Sequence, residues 1–334
     1  MAVPPEPLSV HLGEIERALQ AVIGNSPDPV VAASRYVMGW EDAAGQPAAA
    51  GGKRVRPALC LYAAGLFGAA EGALPGAVSV ELVHNFSLVH DDVQDLDAER
   101  HGRPTLWALH GAAQAINAGD FLYARAQHAL LDGQGPAERR IAALRILTSA
   151  TERMIAGQWA DVSFETRQDV TVDEYLAMIA GKTGALLGAP LEMGAVLAGA
   201  PPSLSHALGR WGEAVGLAFQ ARDDHLGIWG NPNLTGKSNT NDIVRRKKTL
   251  PVIHGLAGPS GTSIRAVYSQ AELDSTAVTE VVRLLEESGA DEFTRTVTER
   301  MAGEASAILD GMDLPGTAKA QLRAIGDYLV NRDG

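Results

Sequence analysis

Apolar residues recur at every third or fourth position through most of the 334-residue chain, and the every-second alternation of a half-buried strand is nearly absent. This periodicity restricts the fold to packed helices. Leu12, Ile15, Leu19, Val22 and Ile23 trace one helix face, which Asn25-Ser26-Pro27 ends. A second helix is expected to open at Pro57, since the missing N–H of proline costs nothing in a first turn. The stretch from Ala77 to Asp95 reads as a long apolar helix ending in charge. Further helices are expected from Ala112 to Leu131, Glu138 to Ala156, Val172 to Ala180 and Leu186 to Leu197. Pro201-Pro202 then starts one carrying Leu204, Leu208, Trp211, Val215 and Phe219, with Ser203 as its N-cap, and Gly230-Asn231-Pro232-Asn233 breaks it. The last third reads as helices around Val281 to Leu285, Phe293 to Met301 and Leu322 to Leu329. No linker, low-complexity tract or fixed-period repeat interrupts the pattern. The expectation is one all-α domain over residues 1–334.

Composition excludes several classes of function. At 46% hydrophobic and 20% charged, the chain has material for a large core and too little polarity for disorder. Its 28 basic residues against 40 acidic ones leave a net charge of −12, which argues against nucleic acid or an anionic membrane as partner. The only cysteine, Cys60, rules out a disulfide framework and a cysteine-rich metal site, and its place in PALCLYAAGLF suggests a small core filler. The N-terminal MAVPPEPLSVHLGEI has acids and prolines where a signal peptide has lysines and an apolar run. The most apolar stretch, Ala58 to Ala70, is shorter than the ~20 residues that cross a bilayer. A soluble cytoplasmic protein without stable membrane insertion is expected.

Two acidic pairs break the pattern. LVHDDVQD sets Asp91 and Asp95 on one helix face with Asp92 beside them, and FQARDDHLG repeats the pair as Asp223 and Asp224. Carboxylates gathered at a helix C-terminus repel one another and the negative end of the dipole. For an isolated DDxxD, a solvated helix end is the simpler reading. Here Phe86, Leu88 and Val89 place the first cluster at the mouth of a core, and His84, seven residues before Asp91, shares its stripe. Gln220 lies one turn before Asp224. Hard divalent cations would relieve the repulsion, and Mg²⁺ suits carboxylates shared with phosphate, whereas no His/Cys spacing fits zinc. Basic residues sit in loops and at helix ends: Lys53, Arg54 and Arg56 in GGKRVRP, Arg100 and His101 in ERHGRPT, Lys182 with Thr183 in AGKTGA, Lys237 in TGKSNT, and Lys247-Lys248 in RRKKTLP. AGKTG lacks the spacing and preceding strand of a phosphate loop.

In order, GGKRVRP, ELVHNFSLVHDDVQD, ERHGRPT, GQWAD, KTG, FQARDDHLG, GK and KKTLP resemble the motifs of the trans-isoprenyl diphosphate synthases, or polyprenyl synthetases, from about Gly51 to Pro251. The resemblance implies an all-α isoprenoid-synthase bundle around a central cavity and a homodimer. It implies a Mg²⁺-dependent head-to-tail condensation of isopentenyl diphosphate with an allylic diphosphate, three ions being held with the diphosphate by Asp91, Asp92, Asp95, Asp223 and Asp224. Arg100, Lys182 and Lys237 match residues that grip that diphosphate, His101 stands beside Arg100, and Lys247 matches a lysine near the metal-bound phosphates. Lys53, Arg56 and His84 match the isopentenyl pocket, with Arg54 beside it, and Thr183 and Gln220 match polar groups beside the reacting carbons.

Two positions depart from the family's pattern. Residue 227 is Gly where a second DDxxD would end in Asp, and RRG is Arg100-His101-Gly102. Together they leave room for a less active or regulatory homologue, but activity is expected to be retained because every other basic position of the pattern is present. Phe86, with Ser87 next to it, matches the position that limits product length, about 7.5 Å along the helix from Asp91. An aromatic there without an insertion in DDVQD resembles synthases of geranylgeranyl diphosphate first and farnesyl diphosphate next. The cyclase motif NDxxSxxxE is absent, because Asn241-Asp242 runs into Ile243, Val244 and Arg245.

Overall fold

The computed structural model describes residues 3–48, 51–230 and 241–331. It is helical almost throughout and divides into two compact units, each described by itself. One comprises Glu6–Ser149 and Ala189–Leu208. The other comprises Ala150–Gly188 and the described residues from Gly209 onward, with the first few residues of the chain.

In the first unit, helix α1 (Leu12–Ile23) buries Ile15, Leu19 and Ile23 of its periodic face. Helix α2 (Pro29–Val37) starts on Pro29, with the Asp28 side chain accepting from the Val30 N–H. Helix α3 (Val55–Gly65) opens at Val55, so Pro57 lies inside its first turn, and Cys60 is fully buried. Helix α4 (Leu74–Gln94) packs against α3 and α6 (Ala112–Leu131). Small residues allow the close approach of α4 and α6. Ser79 Oγ donates to the Ala126 carbonyl across the pair, 2.8 Å away, and a Cβ on Gly119 would fall 2.3 Å from His90 Nε2.

Between α4 and the short α5 (Leu106–His110), strands β1 (Glu99–Arg100) and β2 (Arg103–Pro104) form a minimal hairpin. His101 and Gly102 make its turn with φ of 53° and 71°, as a type I′ turn requires. Two-residue strands carry no alternation, so the sequence could not announce them.

Helix α7 (Ala137–Phe164) continues well past the expected end at Ala156. Gly157, just past that expected end, is a contact point with the turn that carries Lys182. Helix α8 (Val172–Ile179) is opened by a capping box between Thr171 and Glu174 and runs into a single π turn, Ala180–Gly184. Helix α9 (Ala185–Ala198) follows, and α10 (Pro202–Trp229) starts at Pro202, which puts Ser203 in the first turn and not at the cap. Helices over Leu250–Ala257, Gly261–Tyr268, Ser275–Glu287 and Ala290–Asp310 gather Ile243, Val252, Ile264, Val281 and Leu285 into a fully buried cluster with Ile228. Leu250–Ala257 is apolar on nearly all sides, so it has no period to read. No helix among the described residues is long and apolar enough to cross a membrane.

One basic residue has a different task from the one expected. Arg54, anticipated beside the isopentenyl pocket, is 4% exposed and bonded within the protein. Its Nε meets Glu16 at 2.6 Å, one Nη meets Glu81 at 2.9 Å, and the other donates to the Met38 carbonyl at 2.9 Å. Burial alone would lower the guanidinium pKa, but Glu81 and Glu16 together hold it above its ordinary value. Removing one partner of such a pair strands a buried charge. Arg54→Met should therefore lose about 3–5 kcal/mol of stability in a urea titration, and Glu81→Gln made in addition should recover part of it. A single variant as stable as the parent chain would contradict this role.

Candidate functional site

In the first unit, the acidic cluster occupies the last turn of α4, with Asp95 as its C-cap. Asp91 and Asp95 are partly accessible, while Asp92 is buried and bonded to Arg100 Nε through Oδ1 at 2.7 Å. Burial raises the Asp92 pKa above the usual carboxylate range. The Arg100 guanidinium opposes that shift, and Asp97 and Asp95 add to it. Arg100 is placed by β1, so the hairpin turn at His101-Gly102 sets its reach. His101 itself is exposed at the tip.

His84 lies two turns before Asp91 on α4. Desolvation lowers its pKa well below the ordinary value, and the charges of Arg56, Arg100 and Arg54 lower it further. At neutral pH it is therefore an uncharged imidazole, able to donate one hydrogen bond but not to act as a cation. Arg56 sits partly buried in the first turn of α3, and Lys53 is exposed on the segment before it. Phe86 is nearly buried, edge-on to His90 with centroids 4.7 Å apart, and tilted against Tyr123 of α6 at 5.3 Å. Ser87 Oγ donates to the His84 carbonyl at 2.8 Å, which ties it to its own helix. Sequence reasoning missed Tyr123. The available signal was an aromatic side chain in the alanine-rich α6.

The second unit builds its site around the π turn. Gly157 of α7 and Gly181 of the turn let the two backbones touch: a Cβ on Gly157 would fall 2.5 Å from the Lys182 nitrogen, and one on Gly181 would fall 2.5 Å from the Arg153 carbonyl oxygen. Lys182 Nζ donates to Asp161 Oδ2 at 2.5 Å, one turn further along α7. Thr183 Oγ1 donates to Gln220 Oε1 at 3.0 Å, and Gln220 Nε2 donates to Asp224 Oδ1 at 3.1 Å. The other oxygen of Asp224 accepts from the Tyr175 hydroxyl and, at 3.0 Å, from the Leu250 N–H. Asp224 is 4% exposed, and burial pushes its pKa up to about 7 against the pull of Tyr175, Leu250 and Gln220.

The pair expected to act alike therefore divides. Asp223 is exposed and available, whereas Asp224 is a buried anchor joining α8, α10 and the helix that starts at Leu250. Asp161, Tyr175 and the Leu250 amide were not singled out from the sequence. Asp161 stands in the GQWAD run, four residues after Gly157 and so on the same helix face, while nothing local marks the other two. Lys247 is partly buried with its N–H on the Asp242 carbonyl at 2.8 Å, and Lys237 lies outside the described residues.

The donor set suits a hard cation because it consists of carboxylate oxygens. Among the described residues no three His, Cys, Asp or Glu side chains converge to hold an ion unaided. Mg²⁺ bound with phosphate needs only one or two protein carboxylates, the remainder coming from phosphate and water. The accessible Asp91, Asp95 and Asp223 fit that division.

The glycine contact is a test of how Lys182 is placed. Gly157→Ala should push α7 from the π turn and cost about 1–3 kcal/mol. Gly303→Ala, whose Cβ meets nothing within 4 Å in the helix Ala290–Asp310, should instead be neutral or stabilising. Thermal unfolding of both variants checks the contrast, and equal behaviour would argue against a close approach at Gly157.

The Polyprenyl synthetase family matches residues 40–285. The chain is 44% identical over 312 residues to the (2E,6E)-farnesyl diphosphate synthase of Mycobacterium tuberculosis, covering 91% of this chain and 86% of that protein. It is 39% identical over 303 residues to the geranylgeranyl diphosphate synthase of the same organism, covering 89% and 86%. The crystal structure of a polyprenyl synthetase from Streptomyces coelicolor superposes with a TM-score of 0.89 at 40% identity, over 97% of this chain and 99% of that one. The chain belongs to the polyprenyl synthetase family and is a prenyltransferase of the short-chain trans-prenyl diphosphate synthase kind.

Proposed function

We propose that the chain condenses isopentenyl diphosphate with an allylic diphosphate, head to tail, in a Mg²⁺-dependent reaction that releases diphosphate. Its main product would be geranylgeranyl diphosphate. The observation that carries the reaction is the chain of contacts from Thr183 through Gln220 to Asp224, set beside a lysine held by Asp161. It is a preorganised array of donors with no nucleophile paired to a base.

In this reading Lys182 and Arg100 donate to the departing diphosphate, whose negative charge grows as the allylic C–O bond breaks. Asp161 keeps the Lys182 ammonium oriented before that charge develops, so no reorganisation is required during the reaction. Asp91, Asp92, Asp95 and Asp223 would hold the Mg²⁺, with Asp224 anchoring the second group. When bound, the metal neutralises the diphosphate and makes it a better leaving group. Thr183 and Gln220 turn their oxygens toward the cationic carbons. Arg56 and Lys53 hold isopentenyl diphosphate, whose double bond attacks the cation. The proton lost afterwards goes to the released diphosphate, so no protein base is needed.

The product assignment rests on Phe86. It is one aromatic followed by Ser87, which leaves a single bulky group on that stretch of α4, with Tyr123 behind it. A farnesyl product is the second reading, favoured by the identity to the mycobacterial farnesyl diphosphate synthase. Dimethylallyl, geranyl and farnesyl diphosphates offered as primers with isopentenyl diphosphate decide between them: elongation of farnesyl diphosphate by one unit supports the twenty-carbon product, and failure to extend it supports the fifteen-carbon one.

Two variants test the residue roles. Asp91→Ala should lower turnover by on the order of 10²–10³, as the loss of an electrostatic contact to the transition state does. Full activity would overturn the metal assignment. Phe86→Ala should lengthen the product by at least one isoprene unit on chromatography of the dephosphorylated alcohols. An unchanged length would place the limit elsewhere.

A further inference from the structure

The hairpin that carries Arg100 cannot hold its own place. Its strands are two residues each, and an isolated hairpin is marginal in water even when its strands are longer. The register adds a difficulty, since Arg100 stands directly across the ladder from Arg103 and like charges in that relation repel. The two side chains end on different partners. Arg100 goes to Asp92, as described above. Arg103 goes to α2 and the segment that follows it. Its guanidinium carbon lies 4.2 Å from the centroid of the Tyr36 ring, a cation over an aromatic face. One Nη donates to the Glu41 carbonyl at 2.8 Å and to the Tyr36 carbonyl at 3.2 Å. Tyr36 completes the clamp by donating its hydroxyl to the Pro104 carbonyl at 2.6 Å.

Both supports of this clamp are themselves fixed. Tyr36 is a buried residue in the last turn of α2. Glu41 lies where the chain folds back, with the Ala48 N–H on the Trp40 carbonyl and the Asp42 N–H on the Gln46 carbonyl, each at 2.8 Å, and its carboxylate receives Arg35 Nε at 2.5 Å. At the open end of the hairpin, the Thr105 N–H donates to the Ala98 carbonyl at 2.9 Å and Trp107 Nε1 to the Asp97 carbonyl at 2.8 Å. Those bonds close the base of the hairpin, whereas Tyr36 and Arg103 dock its side on α2.

We propose that Tyr36 and Arg103 are positioning residues for the reaction: by clamping the hairpin to α2 they aim Arg100 at the departing diphosphate, while the Tyr36 ring and two carbonyls draw the Arg103 charge aside. This rests on the proposed function above. It gives two residues outside the acidic and basic motifs a part in holding the allylic substrate.

Steady-state kinetics of the full-length protein test it. Arg103→Ala should raise the KM for the allylic diphosphate about tenfold and leave that for isopentenyl diphosphate within about twofold, because a misplaced contact weakens only the group it serves. With Arg100→Gln already made, adding Arg103→Ala should change the allylic KM by less than about twofold, since residues that act through one another are not additive. Equal effects of Arg103→Ala in both backgrounds, or equal rises of both KM values as general destabilisation would produce, overturn the proposal. Should Arg103→Ala fail to fold, Tyr36→Phe, which removes only the hydroxyl on Pro104, replaces it, with a rise of about threefold and the same dependence on Arg100.

Calorimetric titration with inorganic diphosphate and Mg²⁺ separates the clamp from the function. If the parent chain forms no prenyl product while Arg103→Ala still weakens diphosphate binding only when Arg100 is present, the functional reading fails and the clamp stands. If product forms and neither measurement changes in Arg103→Ala, the clamp fails alone.

Discussion

The second unit depends on one buried carboxylate. Asp224 collects a phenol from α8, an amide from its own helix and a backbone N–H from the helix Leu250–Ala257. A carboxylate so deeply buried is unfavourable unless its lone pairs are occupied, and three donors occupy them here. The same contacts place the polar groups of the π turn. Gln220 can donate to Asp224 only with its carbonyl oxygen turned the other way, and that oxygen receives the Thr183 hydroxyl. A structural anchor thereby sets the orientation of a side chain in the candidate site.

A second rule operates in both units: glycine marks where helices approach closely. At Gly157 and Gly181 the absence of two Cβ atoms brings α7 within contact of the π turn, and the turn presents Lys182 where Asp161 can hold it. At Gly119 the same absence admits the His90 ring, which in turn packs on Phe86. A widened helical turn is less stable than a regular one, and it persists here in the candidate site, where such turns often occur. The stability of the packing around it is what permits the irregularity.

The α-helical class was legible because the apolar period extends over most of the chain, and the helix Ala112–Leu131 matches its expected bounds. Other bounds moved for physical reasons. Pro75 in the first turn of α4 brings its start to Leu74, and α7 runs on through Gly157, which is a packing contact, to Phe164. The acidic residues and Lys182 could be named because carboxylates and lysines in apolar settings are conspicuous. Tyr175, Asp161, Tyr123 and the Leu250 amide could not, since each is an ordinary residue that matters only through a partner many positions away. Arg54 shows the opposite error. Its place among basic neighbours suggested phosphate, and only the positions of Glu16, Glu81 and the Met38 carbonyl reveal a buried structural cation.

By itself the sequence determined that the chain is helical, and it singled out acidic groups and scattered basic residues as the candidate site, because residue type and local spacing carry both signals. Tertiary structure decided how work is divided among like residues. It separates the exposed Asp223 from the buried Asp224 and the structural Arg54 from the more accessible Lys53. These distinctions are matters of burial and of partners distant in sequence, and neither is a property of a residue's immediate neighbours.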